Sequence, residues 1–560
     1  MKRILLLALS LTVFANTALA QHGDHRHEPS EKLGRVNFKI SCTPKAQKQF
    51  NRAVAWLHSF EYEEAEKAFN EVAATDPRCG MAYWGVAMSN YHPLWAAPLP
   101  DELRRGLVAV AKARTTGAQT QRERDYINAI GIFYNDVFNA DNSIKVDHRT
   151  RAFAYHDAMK QLHQKYPADQ EAAVFYALTL IATGMMSNDK TYVREKEAAR
   201  ILNRVLARQP QHPGVAHYLI HSYDFPALAH FALPAARSYA KLAPASAHAQ
   251  HMPSHIFIRL GLWQEAIRSN RDAETSAKAF AMRHKMAGAW DEQLHAMDYL
   301  AYGYLQTGQD KKAWAVLDEL QKIKSVEPQT FKVAYSFAAV PARYALERRR
   351  WDEASKLALP ANTVGTFPWQ HFAWAEAHIH FARAVGFARS GNADSARAEV
   401  EKLVAIREGL KIGKGEYDWA KQVDIERQIA AAWVAFAEGK HEESLKLMRA
   451  AADLDDATDK HPVTPGAILP AREQLGELLL ELKQPAAALR EFETSLKSAP
   501  ERFNGVYGAA RAARLGGDQQ NAKRYYAKLV AMTRLSDSDR KEISEAKTFL
   551  SPLLRSRASH

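Results

Sequence analysis

Small and large apolar residues recur along the chain at a fixed interval, and polar residues fill the positions between them. Ala198 and Ala232 are 34 residues apart, and Pro210 and Pro244 have the same separation. Small residues let one helix approach another closely, large residues fill the remaining space, and proline ends a helix that it cannot continue. The pattern therefore predicts a series of helix hairpins, each packed on its neighbours.

This period and the residue types within it resemble the tetratricopeptide repeat (TPR). Matching positions run from Ala53, Trp56, Ala65, Phe69 and Pro77 in a first repeat to Leu475, Gly476, Ala488, Phe492 and Pro500 near the end. The resemblance covers most of residues 45–530. It implies an all-α TPR helix-hairpin solenoid, a right-handed superhelix of roughly ten repeats.

The spacing departs from the period in three places. Residues 93–125 and 181–191 read as insertions, and Gly261 and Gly308 are 47 residues apart. This last separation predicts a longer helix or an additional turn between the two glycines.

The N-terminus has the layout of a secretory signal peptide. A basic start (residues 1–3) precedes an apolar run (residues 4–15) and a small-x-small sequence that ends at Ala20. The run is too short to span a bilayer as a stable helix. We therefore expect cleavage after Ala20 and a periplasmic or secreted protein with no membrane span, and a retained anchor is the alternative.

The order of these features predicts six segments along the chain. They are a signal peptide (1–20), a His-rich flexible N-terminus (21–40), N-terminal repeats with insertions (41–210), His-rich central repeats (211–330), C-terminal repeats (331–535), and a capping helix or tail (536–560). The tract that contains His22, His25 and His27 is polar and contains glycine, and we expect it to bind metal only weakly.

The charge of the chain argues against a nucleic-acid partner. The formal net charge is +12 over 560 residues. The basic residues are scattered and do not interleave with aromatic residues along one stripe, as a nucleic-acid interface requires. We therefore expect a solvated repeat surface.

The two cysteines, Cys42 and Cys79, precede the first helices of two consecutive repeats. Such helix starts are neighbours in a solenoid, and an exported chain meets an oxidising compartment. The sequence therefore predicts a Cys42–Cys79 disulfide that anchors the N-terminal repeat.

Histidines concentrate in the central repeats at equivalent positions of neighbouring helices. In the repeat register, His217 and His221 occupy positions 5 and 9 of one first helix, and His251 and His255 occupy those of the next. The i, i+4 spacing places each pair on one helix face, roughly 6 Å apart. The TPR resemblance implies that positions 5 and 9 line the concave surface. It implies the same for position 2, which His248 occupies.

This arrangement suggests a transition-metal site. Neighbouring helices pack roughly 8–10 Å apart, so facing pairs can converge on one ion at metal–nitrogen distances of about 2.0–2.1 Å. Neutral imidazoles suit Zn, Cu, Fe or Ni, and we expect no other cofactor. Candidate accessory ligands are Asp224, His295 and Asp298.

Two other interpretations of the histidines remain open. They could line a groove that binds an anionic ligand or the peptide segment of a partner protein. They could also be structural and bonded to Tyr218, Tyr223 or Asp224. We expect His212 and His284 to be surface residues.

Pro253 lies between His251 and His255, at a position where the repeat favours leucine. Proline removes a backbone donor, so we expect the helix to kink or to restart at Pro253.

Segments 59–95, HYLIHSYD (217–224) and HAQHMPSHIFIRLGLWQEAIRSN (248–270) resemble those of a group of exported bacterial TPR proteins. The resemblance implies the fold and export, and it supplies no catalytic residues. The sequence contains no phosphate loop and no GxSxG, HExxH, CxxC or CxxCH motif. We therefore favour a metal-binding solenoid, with a protein-interaction scaffold as the alternative, over an enzyme.

Overall fold

Helices make up nearly all of the regular structure in the part of the chain that the computed structural model describes, residues 32–94, 97–187, 189–360, 364, 367–411 and 417–557. The predicted signal peptide and the tract of His22, His25 and His27 lie outside these residues. No helix within them is long and apolar enough to cross a membrane.

Among the described residues of the N-terminal part there are eight helices, each packed on the next. They are α1 (Pro44–His58), α2 (Tyr62–Thr75), α3 (Gly80–Ser89), α4 (Pro100–Thr116), α5 (Gln121–Tyr134), α6 (His148–Lys165), α7 (Gln170–Met185) and α8 (Val193–Leu206). Most of the first predicted insertion is α4, which packs on α3 as the second helix of a hairpin. Side chains cap several N-termini: the Asp169 carboxylate, for example, accepts from the first backbone N–H groups of α7.

The central part contains the histidines of the predicted metal site. Its elements are α9 (Pro213–Tyr223), a 3₁₀ turn (Ala229–Ala232), α10 (Leu233–Leu242), α11 (Ala247–His251), α12 (Pro253–Arg259), α13 (Trp263–Arg283), β1 (Ala289–Trp290), α14 (Asp291–Gln306), α15 (Asp310–Lys322) and β2 (Val326–Glu327). The 21-residue length of α13 and the short strand β1, which pairs in parallel with β2, account for the wide spacing between Gly261 and Gly308.

The C-terminal part continues the hairpins. Its elements are α16 (Phe331–Glu347), α17 (Trp351–Ala354), a 3₁₀ turn (Trp369–Phe372), α18 (Ala373–Arg389), α19 (Ala393–Gly409), α20 (Trp419–Ala437), α21 (His441–Asp456), α22 (Ala471–Glu481), α23 (Pro485–Ser498), α24 (Phe503–Leu515), α25 (Gln519–Met532) and α26 (Lys541–Arg557). The last helix packs on α25 through Ile543 and Ala546, where a capping helix was expected.

Close helix packing explains the small residues of the repeat. A Cβ added at Gly85 in α3 would lie 2.1 Å from the ring of Phe69 in α2. A Cβ added at Gly508 in α24 would lie 2.3 Å from the ring of Phe492 in α23. Each phenylalanine therefore fills a space that only glycine leaves open, and the predicted helix-hairpin solenoid is confirmed.

Helices far apart in sequence also pack together. The ring of His58 at the end of α1 contacts Tyr218 in α9, and the indole N–H of Trp263 donates to the carbonyl of Glu501 at 2.6 Å. The central repeats are thus covered by both ends of the chain.

Pro253 interrupts the first helix of its repeat as predicted. Helix α11 ends at His251 and α12 begins at Pro253, with Met252 between them. The proline lacks the N–H that a continuous helix would bond, so the chain restarts there.

The predicted disulfide joins Cys42 and Cys79 across a Cα–Cα distance of 5.4 Å. Residues 32–40 precede it without regular secondary structure, and the wholly buried ring of Phe38 packs on Phe50 and Trp84. The expectation of a flexible segment is therefore wrong for this part of residues 21–40, because its apolar side chains complete the N-terminal core.

Replacing both cysteines by serine should loosen the N-terminal repeat. The disulfide closes a segment with a sequence separation of 37 residues, and loss of such a cross-link costs about 3–4 kcal/mol through the entropy of the unfolded chain. We expect faster amide hydrogen exchange in α1 and α2, with α24 and α25 as internal controls. Unchanged exchange in α1 and α2 would contradict this role.

Candidate metal centre

Three imidazoles from two consecutive repeats form the first triad. His217 and His221 lie one turn apart on α9, and His248 lies on α11. The Nε2 atom of His217 is 3.0 Å from Nε2 of His221 and 3.2 Å from Nε2 of His248. The three rings thus offer their nitrogens to a common point, each within 4.8 Å of the others.

A second triad repeats this arrangement one repeat further along. It consists of His251 on α11, His255 on α12 and His295 on α14. The Nε2 atoms of His251 and His255 are 3.0 Å apart, and the rings of His251 and His295 have centroids 4.2 Å apart. His295, predicted only as an accessory ligand, is a full member of this triad. The two triads together are called the histidine cluster below.

Hydrogen bonds at Nδ1 fix the orientation of the rings. The Nδ1 atom of His217 lies 2.7 Å from the carbonyl oxygen of His58, and that of His251 lies 2.7 Å from Oδ1 of Asn270. The amide nitrogen of Asn270 donates to the carbonyl of Ala266 at 2.8 Å, so Oδ1 faces the ring. Because these oxygens only accept, Nδ1 of both histidines carries the ring hydrogen.

The ring hydrogen of His255 also lies at Nδ1, and this leaves an unsatisfied contact at Nε2. Its Nδ1 atom lies 3.0 Å from the carboxylate of Asp224, which also only accepts. Neutral His251 and His255 therefore each present a bare lone pair at Nε2, and the two lone pairs face each other at 3.0 Å. Such a contact is repulsive unless a cation lies between or beside the two nitrogens.

Burial keeps five of the rings neutral. Desolvation lowers the pKa of His217, His221, His251 and His295 well below the ordinary value, and neighbouring histidines lower it further. Desolvation also lowers the pKa of His255, to about 4, although Asp224 opposes the shift. Neutral imidazoles are the form that binds metal ions.

The histidine cluster is enclosed and does not line an open groove as expected. Side-chain exposure across its six residues ranges from 0% to 6%. The loop between α21 and α22 (residues 457–470, the covering loop) closes one side, where the hydroxyl of Tyr299 donates to the carbonyl of Val463 at 2.7 Å. That hydroxyl oxygen also lies 3.3 Å from Nε2 of His255.

The carboxylates around the histidine cluster differ from those predicted. Asp224 contacts His255 and accepts from Arg259 at 2.9 Å, so it orients a ring rather than belonging to a triad. Asp298 forms an ion pair with Arg343 at 2.5 Å, because α14 directs it toward α16. Sequence reasoning did not identify Glu292, whose Oε2 lies 3.9 Å from Nδ1 of His248.

A third buried group, His58, Glu171 and His212, satisfies its own hydrogen bonds. Nε2 of each histidine faces one oxygen of the Glu171 carboxylate, at 3.1 and 2.9 Å. Tyr218 lies 2.9 Å from Nδ1 of His58, and the backbone N–H of Val215 donates to Nδ1 of His212. These contacts leave no facing lone pairs, so the group is structural. The expectation that His212 is a surface residue is wrong, because it caps α9 from inside the core.

These features define the chain as an all-α, TPR-type helix-hairpin solenoid that encloses a histidine cluster. No protein-family profile and no curated protein matches the sequence.

Solved structures with some likeness to the chain are helical proteins of low similarity. One is a tetratricopeptide repeat protein from Parabacteroides merdae, with 12% identity, a TM-score of 0.29, and an alignment that covers 54% of this chain and 98% of that chain. Another is a human IFIT1 dimer with m7Gppp-AAAA, with 12% identity, a TM-score of 0.37, and coverage of 81% of this chain and 90% of that chain. A third is yeast Tom70, with 9% identity, a TM-score of 0.29, and coverage of 89% of this chain and 92% of that chain. At these values the likeness adds nothing about function.

The metal-free protein should lose stability in mild acid. A histidine whose pKa is lower in the folded than in the unfolded chain binds its proton more readily after unfolding. Each such group is neutral in both states above about pH 7, so its cost is absent there. As the pH falls from about 6.5 toward the folded value, each group raises the unfolding equilibrium constant by up to about tenfold per pH unit.

We therefore expect the urea midpoint of chelator-treated protein to fall progressively between pH 6.5 and pH 4. The double variant His251→Gln/His255→Gln, which lacks two of the titrating groups, should show a shallower fall. A midpoint independent of pH in this range would contradict the neutral, buried state of the rings.

Glu171→Gln should destabilise the fold without changing metal content. The amide nitrogen of the glutamine would face one of the two histidine N–H groups, so two donors would meet. Loss of a buried charged partner lowers the free energy of unfolding by about 2–4 kcal/mol. Thermal unfolding measures this cost, and Glu197→Gln on the adjacent α8, which breaks a half-exposed pair with Arg200, is the matched control. Loss of bound metal from a folded Glu171→Gln protein would contradict the structural role.

Proposed function

We propose that this protein binds a transition metal at the histidine cluster and that it does so in the periplasm. The observation that carries the proposal is the 3.0 Å contact between Nε2 of His251 and Nε2 of His255. Both rings place their hydrogen on an acceptor at Nδ1. A bound cation turns this repulsive contact into a pair of adjacent ligands.

The distances within the first triad support the same conclusion. Two nitrogens bound to one ion at about 2.0–2.1 Å lie roughly 2.9–3.4 Å apart for the usual angles between adjacent ligands. The nitrogen of His217 lies 3.0 and 3.2 Å from its two neighbours. Both distances are those of two ligands bound to one ion.

The atoms behind the rings have the form of a metal site. Metal-binding histidines usually donate their second N–H to a carbonyl or a carboxylate, which fixes the ring and increases its basicity. The His58 carbonyl, Asn270 and Asp224 supply such acceptors. Triads of neutral imidazoles favour Zn, Cu, Ni or Fe over Mg or Ca, which prefer oxygen ligands.

The enclosure of the histidine cluster favours retention of the ion. Its rings are buried, and the covering loop closes one side through Tyr299 and Val463. An ion held there would exchange slowly with solvent, as suits metal handling. The periplasmic location rests on the signal-peptide pattern that ends at Ala20 and agrees with the Cys42–Cys79 disulfide.

The alternative proposal, an interaction scaffold, would not use the histidines. A partner segment in the TPR groove would have to bind other surfaces, because the histidine cluster is inaccessible without displacement of the covering loop. Binding of a partner that survives His251→Gln/His255→Gln would favour the scaffold.

Elemental analysis of protein purified without a His tag tests the metal proposal. We expect at least one transition-metal ion per chain and, for His251→Gln/His255→Gln, a loss of affinity of at least tenfold. His230→Gln, at an exposed histidine on the 3₁₀ turn after α9, is the matched control and should bind as the unsubstituted protein does. A protein that contains no such metal and takes up none on titration would overturn the proposal.

A further inference from the structure

We propose that the histidine cluster holds two metal ions side by side, with three imidazoles for each ion. This inference rests on the metal-binding function proposed above and adds its stoichiometry and geometry. The ions would be late first-row transition metals, of which copper binds nitrogen ligands most tightly.

The repeat register shows that the second triad is a copy of the first. His217 and His221 stand at positions 5 and 9 of one repeat, and His248 at position 2 of the next supplies the third ring. In the second triad, His251 and His255 stand at positions 5 and 9.

The third ring of the second triad, His295, again comes from position 2 of the following repeat, despite the longer α13. One ligand set thus occurs twice in succession, offset by one repeat. If one triad can bind an ion, so can the other.

The ligand nitrogens of the six imidazoles form two groups of three, and ring separations within each group fit a bound ion. Imidazoles bound to one ion at about 2.0–2.1 Å have centroids roughly 4.5–5.2 Å apart. The rings of His217 and His221 are 4.8 Å apart, those of His217 and His248 are 5.0 Å apart, and those of His251 and His255 are 4.9 Å apart. These three pairs match the separation of ligands on a single ion, and the ring of His295 lies closer to that of His251, at 4.2 Å.

Between the triads the rings are in contact but further apart. The centroids of His221 and His255 are 6.2 Å apart, and so are those of His248 and His251. This distance exceeds that of adjacent ligands on one ion, and the ligand nitrogens cluster as two separate groups of three. It is short enough that the two ions would be immediate neighbours.

The surrounding charges favour a small anionic ligand between the ions. The six imidazoles contribute no negative charge. Glu292 lies near His248 but is already paired with Lys332. Asp224 lies near His255 but is already paired with Arg259 and Lys460. Two adjacent cations with so little compensation require an oxygen anion such as hydroxide as a shared ligand.

Zinc stoichiometry in matched variants tests the inference on the full chain. Protein is stripped with a chelator, reloaded with Zn²⁺, and washed with a weaker chelator that removes loosely held ions, including any at His22, His25 and His27. We expect two ions per chain in the unsubstituted protein and in His230→Gln. We expect one ion in His248→Gln, one in His295→Gln, and none in the combined variant His248→Gln/His295→Gln.

The outcomes separate this inference from the function on which it rests. A single ion per chain that is lost in both single variants would overturn the two-ion centre and leave metal binding intact. No bound zinc in the unsubstituted protein would overturn both. Circular dichroism of each variant establishes that the fold is retained.

Electron paramagnetic resonance of the unsubstituted protein loaded with Cu²⁺ gives a test that needs no variant to fold. Two neighbouring Cu²⁺ ions that share a ligand should couple magnetically. The integrated signal should then account for much less than the total bound copper. The His295→Gln protein should give a signal equal to its copper content. A full-intensity, unbroadened signal from the unsubstituted protein would overturn the inference.

Discussion

The repulsion between two facing imidazole nitrogens is the constraint around which the centre of this molecule is built. Nε2 of His251 and Nε2 of His255 lie 3.0 Å apart, while Asn270 and Asp224 hold the ring hydrogens on the opposite sides. Both rings are buried, so protonation of either is unfavourable. The contact raises the free energy of the folded, metal-free protein, and a bound cation removes this repulsion. Metal loading and the stability of the central repeats are therefore expected to rise together.

The repeat architecture explains how such a site arises. Duplication of a helix hairpin copies a histidine pair to the equivalent turns of the next first helix, and stacking brings the copies into contact. The superhelix then covers them with distant parts of the chain. Phe60, just after α1, packs against the ring of His217, and the covering loop approaches from the C-terminal side. A face that an isolated pair of repeats would expose becomes an enclosed cluster.

Sequence alone predicts much of this structure because the contacts that define each repeat are made with residues nearby in the chain. Glycine opposite phenylalanine, the break at Pro253 and the Cys42–Cys79 bond all depend on neighbours within one or two repeats. Enclosure could not be predicted, since it depends on contacts between residues far apart in the chain. For the same reason His212 was misplaced, because its partner Glu171 lies 41 residues away. The ion pair of Asp298 likewise depends on Arg343 in another repeat.

The function proposed for the histidine cluster requires a metal ion among its six rings. Anomalous X-ray diffraction from crystals of the loaded protein, measured on both sides of the metal absorption edge, locates the ion directly. We predict anomalous density within bonding distance, about 2.0–2.1 Å, of the Nε2 atoms of each triad, with peaks in both. Crystals in which the metal lies only on surface histidines such as His230, with no density in the histidine cluster, would contradict the account.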